Sequence, residues 1–496
     1  MSSAVRRRGR GQGRGTRTNL QPPRRPHIRQ RGAGNQEMLT TKRRLLKMIV
    51  STPQRLESTE SKSFREFVTE LSPSLEIPTK SVIRSQLLSV YNEKEKELRS
   101  TLASADDIVL TCEAFRAEES FLAVGCHFVD NRGNLKSYML NTSCLFGDES
   151  AANIQKQLCA VMEAWGLKGK VHSVVRAGLP QLKRVRTKWT DMPCFADTLN
   201  VVFKDLMSKD ELSSVFRKCQ NIVRFFKLDF DAEQKLREIQ NKLKMEQDEL
   251  ILYRGEKWLL WLDMLEGLIQ QHEAMVMVFV QKKKTDLILD ENETEKIKKI
   301  ISALKPLKKA TSMMRTEGFQ TISVMLPLLK TLMDGLREER QKGNDVANIL
   351  LLKCKEEFGD VNNHPLALIT FLDPRCKDKL GEQNKRLAIS KVKQELAADP
   401  ASCSAAELDV LLNKYLAYTP TSERSNPFAW WRHTGMTMFR ELSKLALKKL
   451  GVVSTAVPLE RAFSSAGDRF CSQRSSIEPE NLNMVLFLNS NWPIIS

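Results

Sequence analysis

The sequence predicts an α/β (α+β) core interrupted by a large all-helical insertion, mostly helical overall, behind a disordered basic N-terminus. Three observations carry this expectation. Residues 105–200 show strand-length apolar runs, residues 201–425 read as helix after helix, and the last 70 residues form a distinctive end. At 496 residues the chain is too long for one ordinary domain, and its 41% apolar and 28% charged composition is that of a globular protein.

The formal net charge is +18, and it is unevenly placed. Residues 1–31 hold ten arginines with no lysine and no acid, more than half of that excess. Residues 1–36 therefore read as a disordered Arg/Gly tail, with Pro22, Pro23 and Pro26 behind the arginines. Arg6, Arg7, Arg8, Arg10, Arg14 and Arg17 are the candidate nucleic-acid contacts: guanidinium on a flexible backbone grips phosphate through charge and forked donors, without reading bases. A solvated tail or a nuclear import signal is the plainer reading of the same run, and the two are compatible.

Residues 37–104 read as short helices broken at Pro53, Pro73 and Pro78, with the longest over residues 80–100. The next section, 105–200, opens with apolar runs at 108–112 and 121–129. The turn Asp130-Asn-Arg-Gly-Asn134 leads to a third strand at 135–140. Ile154, Leu158, Val161, Met162 and Trp165 then share one face of a helix, which Gly166 and Gly169 close before a fourth strand at 171–175. Two tight connections followed by a helical crossover imply an antiparallel meander joined to a parallel strand. In the helical section, 201–425, one helix carries Ile297, Ile300, Ile301 and Leu304 and is expected to stop at Pro306. Met325, Leu326, Leu329 and Leu332 are expected in a core, and the charged stretch 229–249 on a solvated face.

Residues 426–496 carry Val457-Pro-Leu-Glu460-Arg461-Ala-Phe463-Ser464-Ser465-Ala466-Gly467, then Asn481-Leu-Asn483-Met484-Val-Leu486-Phe487-Leu488-Asn489. The second block is apolar almost all round, so its helix must be buried on several sides. Leu482, Val485, Leu486 and Phe487 are the candidate dimerisation residues, a partner chain supplying one of those sides.

These two blocks resemble the C-terminal region of hAT-superfamily transposases. The likeness extends upstream to Ser120–Phe128, to Glu163-Ala-Trp165-Gly166-Leu167, to Cys194-Phe-Ala-Asp-Thr-Leu-Asn200 and to Lys257-Trp258 with Asp263–Glu266. The resemblance implies an RNase H-like core interrupted by a helical insertion, a C-terminal dimerisation region, and kinship with host genes derived from BED-zinc-finger transposons. It also implies three carboxylates that would hold two Mg²⁺ ions for strand transfer. Carried over residue by residue, those positions fall on Glu113, Arg176 and Glu460. Glu113 is one methylene longer than the family's Asp. Arg176 replaces an anionic ligand with a fixed cation that has no lone pair for a metal. Arg176 is expected to pair with Glu113, Glu460 or both, while Asp191 and Asp197 are the fallback ligands if the correspondence slips. Asp197 stands where the family has His.

Other chemistry is not expected. Ten cysteines, at 112, 126, 144, 159, 194, 219, 354, 376, 403 and 471, never reach CxxC spacing and read as reduced thiols of an intracellular protein. Before Cys112 there is no cysteine and one histidine, His27, so no BED finger is expected there. Cys126-His127 reads as core rather than as a ligand pair. No phosphate loop, GxSxG elbow or HExxH is present, and no apolar run suits a membrane. The expectation is a nuclear, catalytically inactive, domesticated transposase-like homodimer without cofactor or metal, contacting nucleic acid electrostatically, DNA in preference to RNA. An active hAT-type transposase and an RNA-binding protein acting through its tail are the alternatives.

Overall fold

The structure, a computed structural model of the chain, describes residues 42–456 and 477–495, apart from 53–54, 74, 117–118, 146–148, 185–186, 254, 256, 317–320 and 398–403. The Arg/Gly tail and the Glu460–Gly467 block lie outside the described residues.

The described part opens with helix α1 (42–51), a 3₁₀ turn (Leu56–Glu60), α2 (Lys62–Leu71) and α3 (Lys80–Ala103). Five strands follow: β1 (Ile108–Arg116), β2 (Ser120–Val129), β3 (Leu135–Cys144), β4 (Val171–Ala177) and β5 (Thr190–Pro193), with α4 (Ala151–Ala164) between β3 and β4. The sheet order is β3-β2-β1-β4-β5, with β1/β2 and β2/β3 antiparallel and β1/β4 and β4/β5 parallel. The meander, the helical crossover and the parallel fourth strand are as the pattern predicts. Ser150 starts the crossover helix, its side chain accepting from Asn153 N. β5 is an addition: four residues containing an acid and a proline carry too little apolar period to register as a strand.

Each face of the sheet meets its own core. Ile108, Leu110, Cys112 and Val174 pack with Ile83, Leu87, Ile154 and Leu158 on one side. Val109, Val175 and Ala177 face the helical part on the other. That part runs α5 (Phe195–Met207), α6 (Asp210–Leu228), α7 (Phe230–Lys242), α8 (Trp258–Gln270), α9 (His272–Gln281), α10 (Glu291–Thr316), α11 (Met325–Gln341), α12 (Asp345–Phe358), α13 (Ala367–Leu372), α14 (Glu382–Ala397) and α15 (Ala405–Ala417). The Met325–Leu332 stripe is buried as expected.

α10 does not stop at Pro306 but continues to Thr316. The proline ring packs where α11 has only Gly335: a Cβ there would stand 3.0 Å from Pro306 Cβ. Tertiary contact thus offsets the backbone hydrogen bond that proline forfeits.

After α15, Asn426 caps α16 (Pro427–Trp430), accepting from the backbone N–H of Phe428 and Ala429. A π-type turn (Trp431–Gly435), α17 (Met436–Met438) and α18 (Arg440–Leu450) follow, and α19 (Pro479–Ile495) ends the described chain.

α19 requires a correction. Leu482, Val485, Leu486 and Phe487 are all at most 1% exposed, sealed inside the chain's own second core. The Phe487 ring lies 4.9 Å from Tyr91 of α3 and 6.2 Å from Trp165 at the end of α4. The chain itself covers these four side chains, so they offer no free surface to a partner. The asparagines of α19 have a separate role. Asn491 is fully buried; its Oδ1 accepts from Met139 N (2.9 Å) and its Nδ2 donates to Met139 O (2.8 Å). Asn483 Oδ1 accepts from Thr142 N at 2.8 Å. β3 is an edge strand, and these amides satisfy outward backbone groups that no further strand pairs.

Candidate functional site

The site implied by the hAT resemblance lies at the C-terminal ends of β1 and β4. Parallel register sets Cys112 beside Arg176 and Glu113 beside Ala177. Successive side chains on a strand point to opposite faces, so Arg176 shares a face with Cys112 and Glu113 shares one with Ala177. Arg176 therefore does not meet Glu113. Its partner is Asp191 of β5: Nε lies 3.0 and 2.9 Å from the two carboxylate oxygens, and Nη1 is 3.4 Å from Leu179 O. Burial pushes the Asp191 carboxyl above its ordinary value, against the opposing pull of the Arg176 hydrogen bond and charge. This corrects the expected pairing with Glu113; the expected pairing with Glu460 falls outside the described residues. The strand that carries the true partner was the one the sequence pattern hid.

On the Glu113 face a cleft of about 130 Å³ is lined by Thr111, Glu113, Gly125, His127, Ser137 and Ala456, among others. His127 lies between two hydroxyls, Nδ1 at 2.8 Å from Ser137 Oγ and Nε2 at 3.1 Å from Thr111 Oγ1. Gly125 is required beside it, because a Cβ there would fall 2.7 Å from Thr111 Oγ1. Cys126 points the other way into the second core, as strand alternation demands. Burial pushes His127 down to about 4. The same cause takes His172 to about 4 and lowers His364.

A histidine held neutral in the fold but free to protonate when unfolded stabilises the fold fully above its unfolded value near 6.5. That contribution is lost as pH falls from there through the folded value near 4, because the unfolded chain binds the proton first. Stability is expected to drop between pH 6.5 and 4, with His127 contributing about 2 kcal/mol of the loss. Urea midpoints at pH 7 and pH 4.5 for the parent chain and His127→Gln check this; the variant should show the shallower dependence.

Asp197, in the first turn of α5, accepts from Gly178 N at 2.9 Å and so ties α5 to the end of β4. Cys194 and Asn200, from the same block, are structural: Cys194 is fully buried, and Asn200 Oδ1 lies 3.3 Å from Trp258 N at the start of α8. Two blocks of the resemblance are thereby joined in space. The segment leading toward Glu460 enters this region, with Ser454 O accepting from Phe195 N at 3.0 Å and Ala456 lining the Glu113 cleft. Glu460 itself lies outside the described residues, as do Arg6, Arg7, Arg8, Arg10, Arg14 and Arg17. Among the described residues, no group of three or more His, Cys, Asp or Glu side chains is placed to hold a metal ion. Nor is any described helix long and apolar enough to cross a membrane. Eight described cysteines are free thiols.

One cluster escaped the sequence reading. Asp373 and Arg375, both buried, form an ion pair: Oδ2 to Nη2 is 2.7 Å and Oδ1 to Nε is 3.0 Å. Ser323 Oγ donates to Asp373 Oδ2 at 2.6 Å. The signal available was Asp and Arg flanking Pro374 after an apolar run, which reads locally as a surface turn.

A five-stranded mixed sheet covered by helices, with a long helical section following it and a C-terminal helix returning to its edge, is the architecture of an RNase-like core with a helical insertion. Residues 115–180 match the ZBED1 RNase-like domain, 192–304 the ZBED1 RNase-like helical domain, and 407–492 the hAT family C-terminal dimerisation region. The chain is similar to zinc finger BED domain-containing protein 4 of Homo sapiens, 24% identical over 514 residues that cover 91% of this chain. It spans 43% of that protein's length. The chain is thus similar to hAT-derived, BED-like proteins, and it matches their RNase-like domains and dimerisation region.

Proposed function

We propose that this chain is a catalytically inactive, transposase-derived nuclear protein that forms homodimers and holds nucleic acid electrostatically, DNA in preference to RNA, in a regulatory role such as transcription control. One observation carries the loss of catalysis: β4 presents the methyl group of Ala177, not a carboxylate, beside Glu113. Two Mg²⁺ ions need converging anionic oxygens, and a methyl group supplies none. The residue expected to be the intruding cation faces away, yet the outcome for a metal is the same. Neither Arg176 nor Ala177 can ligate one, and Asp191 is committed to Arg176. The ions therefore do not fit the described residues, and no catalytic step is assigned to them.

The division at residues 36, 104, 200 and 425, ending with 426–496, is our assignment, supported by the five strands falling within 105–200. Nucleic-acid contact rests on the ten arginines of residues 1–31. The nuclear assignment rests on that tail and on the BED-type relative.

The full chain with Mg²⁺ or Mn²⁺ is expected to leave duplex DNA uncut. Metal-dependent cleavage that disappears in Glu113→Gln would overturn the inactive reading and point to a ligand set completed by Asp197 or Glu460. Deleting residues 1–31 is expected to weaken DNA binding and flatten its salt dependence, since fewer counterions are released. If RNA affinity vanishes with the tail while the intact chain prefers RNA to duplex DNA, the tail-driven RNA reading replaces ours.

A further inference from the structure

α2 is an amphipathic helix whose apolar side is left largely open among the described residues. Phe64, Phe67, Val68 and Leu71 follow the i, i+3, i+4, i+7 spacing of a buried face. Yet no residue of α2 is buried: Phe67 is 60% exposed and Leu71 70%. Ser61 caps the helix through a hydrogen bond from Phe64 N, so the start is built to be helical. Ten residues are too few to hold a helix in water without packing, since isolated helices below roughly 12 residues are marginal. The face needs a cover.

Position argues for what that cover is. The 3₁₀ turn that leads into α2 is tied, through the start of α3, to the start of α19. Lys80 N donates to Glu60 Oε1 at 2.8 Å, while the Lys80 ammonium pairs with Glu57 and, at 3.5 Å, with Glu478. Arg84 reaches Glu480 at 3.6 Å. α19 belongs to the matched dimerisation region, residues 407–492. Its Leu482, Val485, Leu486, Phe487 and Leu488 are spent inside the chain, so an interface in this neighbourhood draws on apolar side chains from elsewhere. α2, linked to α19 through Lys80, holds Phe67 and Leu71 exposed and Phe64 and Val68 half-buried.

We infer that the Phe64–Leu71 face of α2 is an anchor of the homodimer interface, its occupant a second copy of this chain. This rests on the dimeric reading given above. A face of four side chains covers only part of the roughly 1,200–2,000 Å² that stable interfaces bury, so surfaces of the 407–492 region complete the contact. Large aromatic side chains at the centre of such a contact dominate its affinity.

The test uses the full chain, compared with Phe67→Glu/Leu71→Glu, by sedimentation velocity over a concentration series. Both positions are exposed, so helicity and melting of the dilute monomer should be unchanged. Dimer dissociation is expected at a concentration roughly a hundredfold higher or more. Phe67→Leu should retain most of the affinity. A parent chain that dimerises and a double variant that dimerises equally well would overturn the α2 assignment alone. A parent chain that stays monomeric throughout would overturn the dimeric reading and this inference with it.

Discussion

Replacing Arg375 with alanine is expected to destabilise the chain by about 3–5 kcal/mol, the cost of leaving a buried charge uncompensated. Asp373 is 0% exposed and takes three of its hydrogen bonds from Arg375: backbone N at 2.9 Å, Nε at 3.0 Å and Nη2 at 2.7 Å. After substitution only the backbone donor and Ser323 Oγ remain for a carboxylate with no access to water. The pair also organises its surroundings. Ser323 Oγ lies 2.6 Å from Thr321 Oγ1, and Thr321 forms a β-bridge with Val453, on the segment that runs to the Glu113 cleft. Unfolding midpoints in urea check the prediction. The double substitution Asp373→Leu/Arg375→Met should regain much of the loss, because removing both charges also removes their desolvation cost. If Arg375→Ala alone costs less than 1 kcal/mol, the pair is not the anchor described.

The second large effect is expected at Asn491. Asn491→Ala removes both hydrogen bonds to Met139 and leaves a backbone donor and acceptor without partners at a sealed sheet edge. The expected cost is roughly 2–4 kcal/mol, from two lost bonds and the desolvation of the stranded groups. Asn483→Ala, which strands Thr142 N and loses only a long 3.5 Å bond to Tyr91 Oη besides, should cost about half as much. Asn491→Asp should not rescue, since it sets a carboxylate oxygen against Met139 O where the amide offered a donor. Hydrogen exchange localises the effect: amides of β3 should exchange faster while those of α6 to α12 stay unchanged. Uniform acceleration across the chain would contradict an edge-specific role.

Much of the fold was legible because its signals are local. Strand-length apolar runs, the Asp130–Asn134 turn and the Ile154–Trp165 helical face each fall within about a dozen residues, and each formed as expected. What stayed hidden depends on distant partners. Asn491 meets Met139 across 352 positions, and a block of asparagines in an apolar helix gives no sign that it caps a strand. The apolar girth of α19 stated that all sides are buried but not by which chain. At the candidate site, residue types were readable while the facing was not. One position along β4 exchanges Arg176 for Ala177 and turns a presumed intruder into the partner of Asp191. β5 was lost because four residues are too few for a period to show.

Both rims of the sheet are closed by composition rather than by further strands. On the β3 side, side-chain amides occupy the outward bonding positions; on the β5 side the strand is four residues long and ends in Pro193, which has no N–H to give. Both rims therefore resist extension by a neighbouring strand. Copies that associate as proposed would meet through helical surfaces, and their assembly would stop at a defined, finite size instead of growing into ribbons.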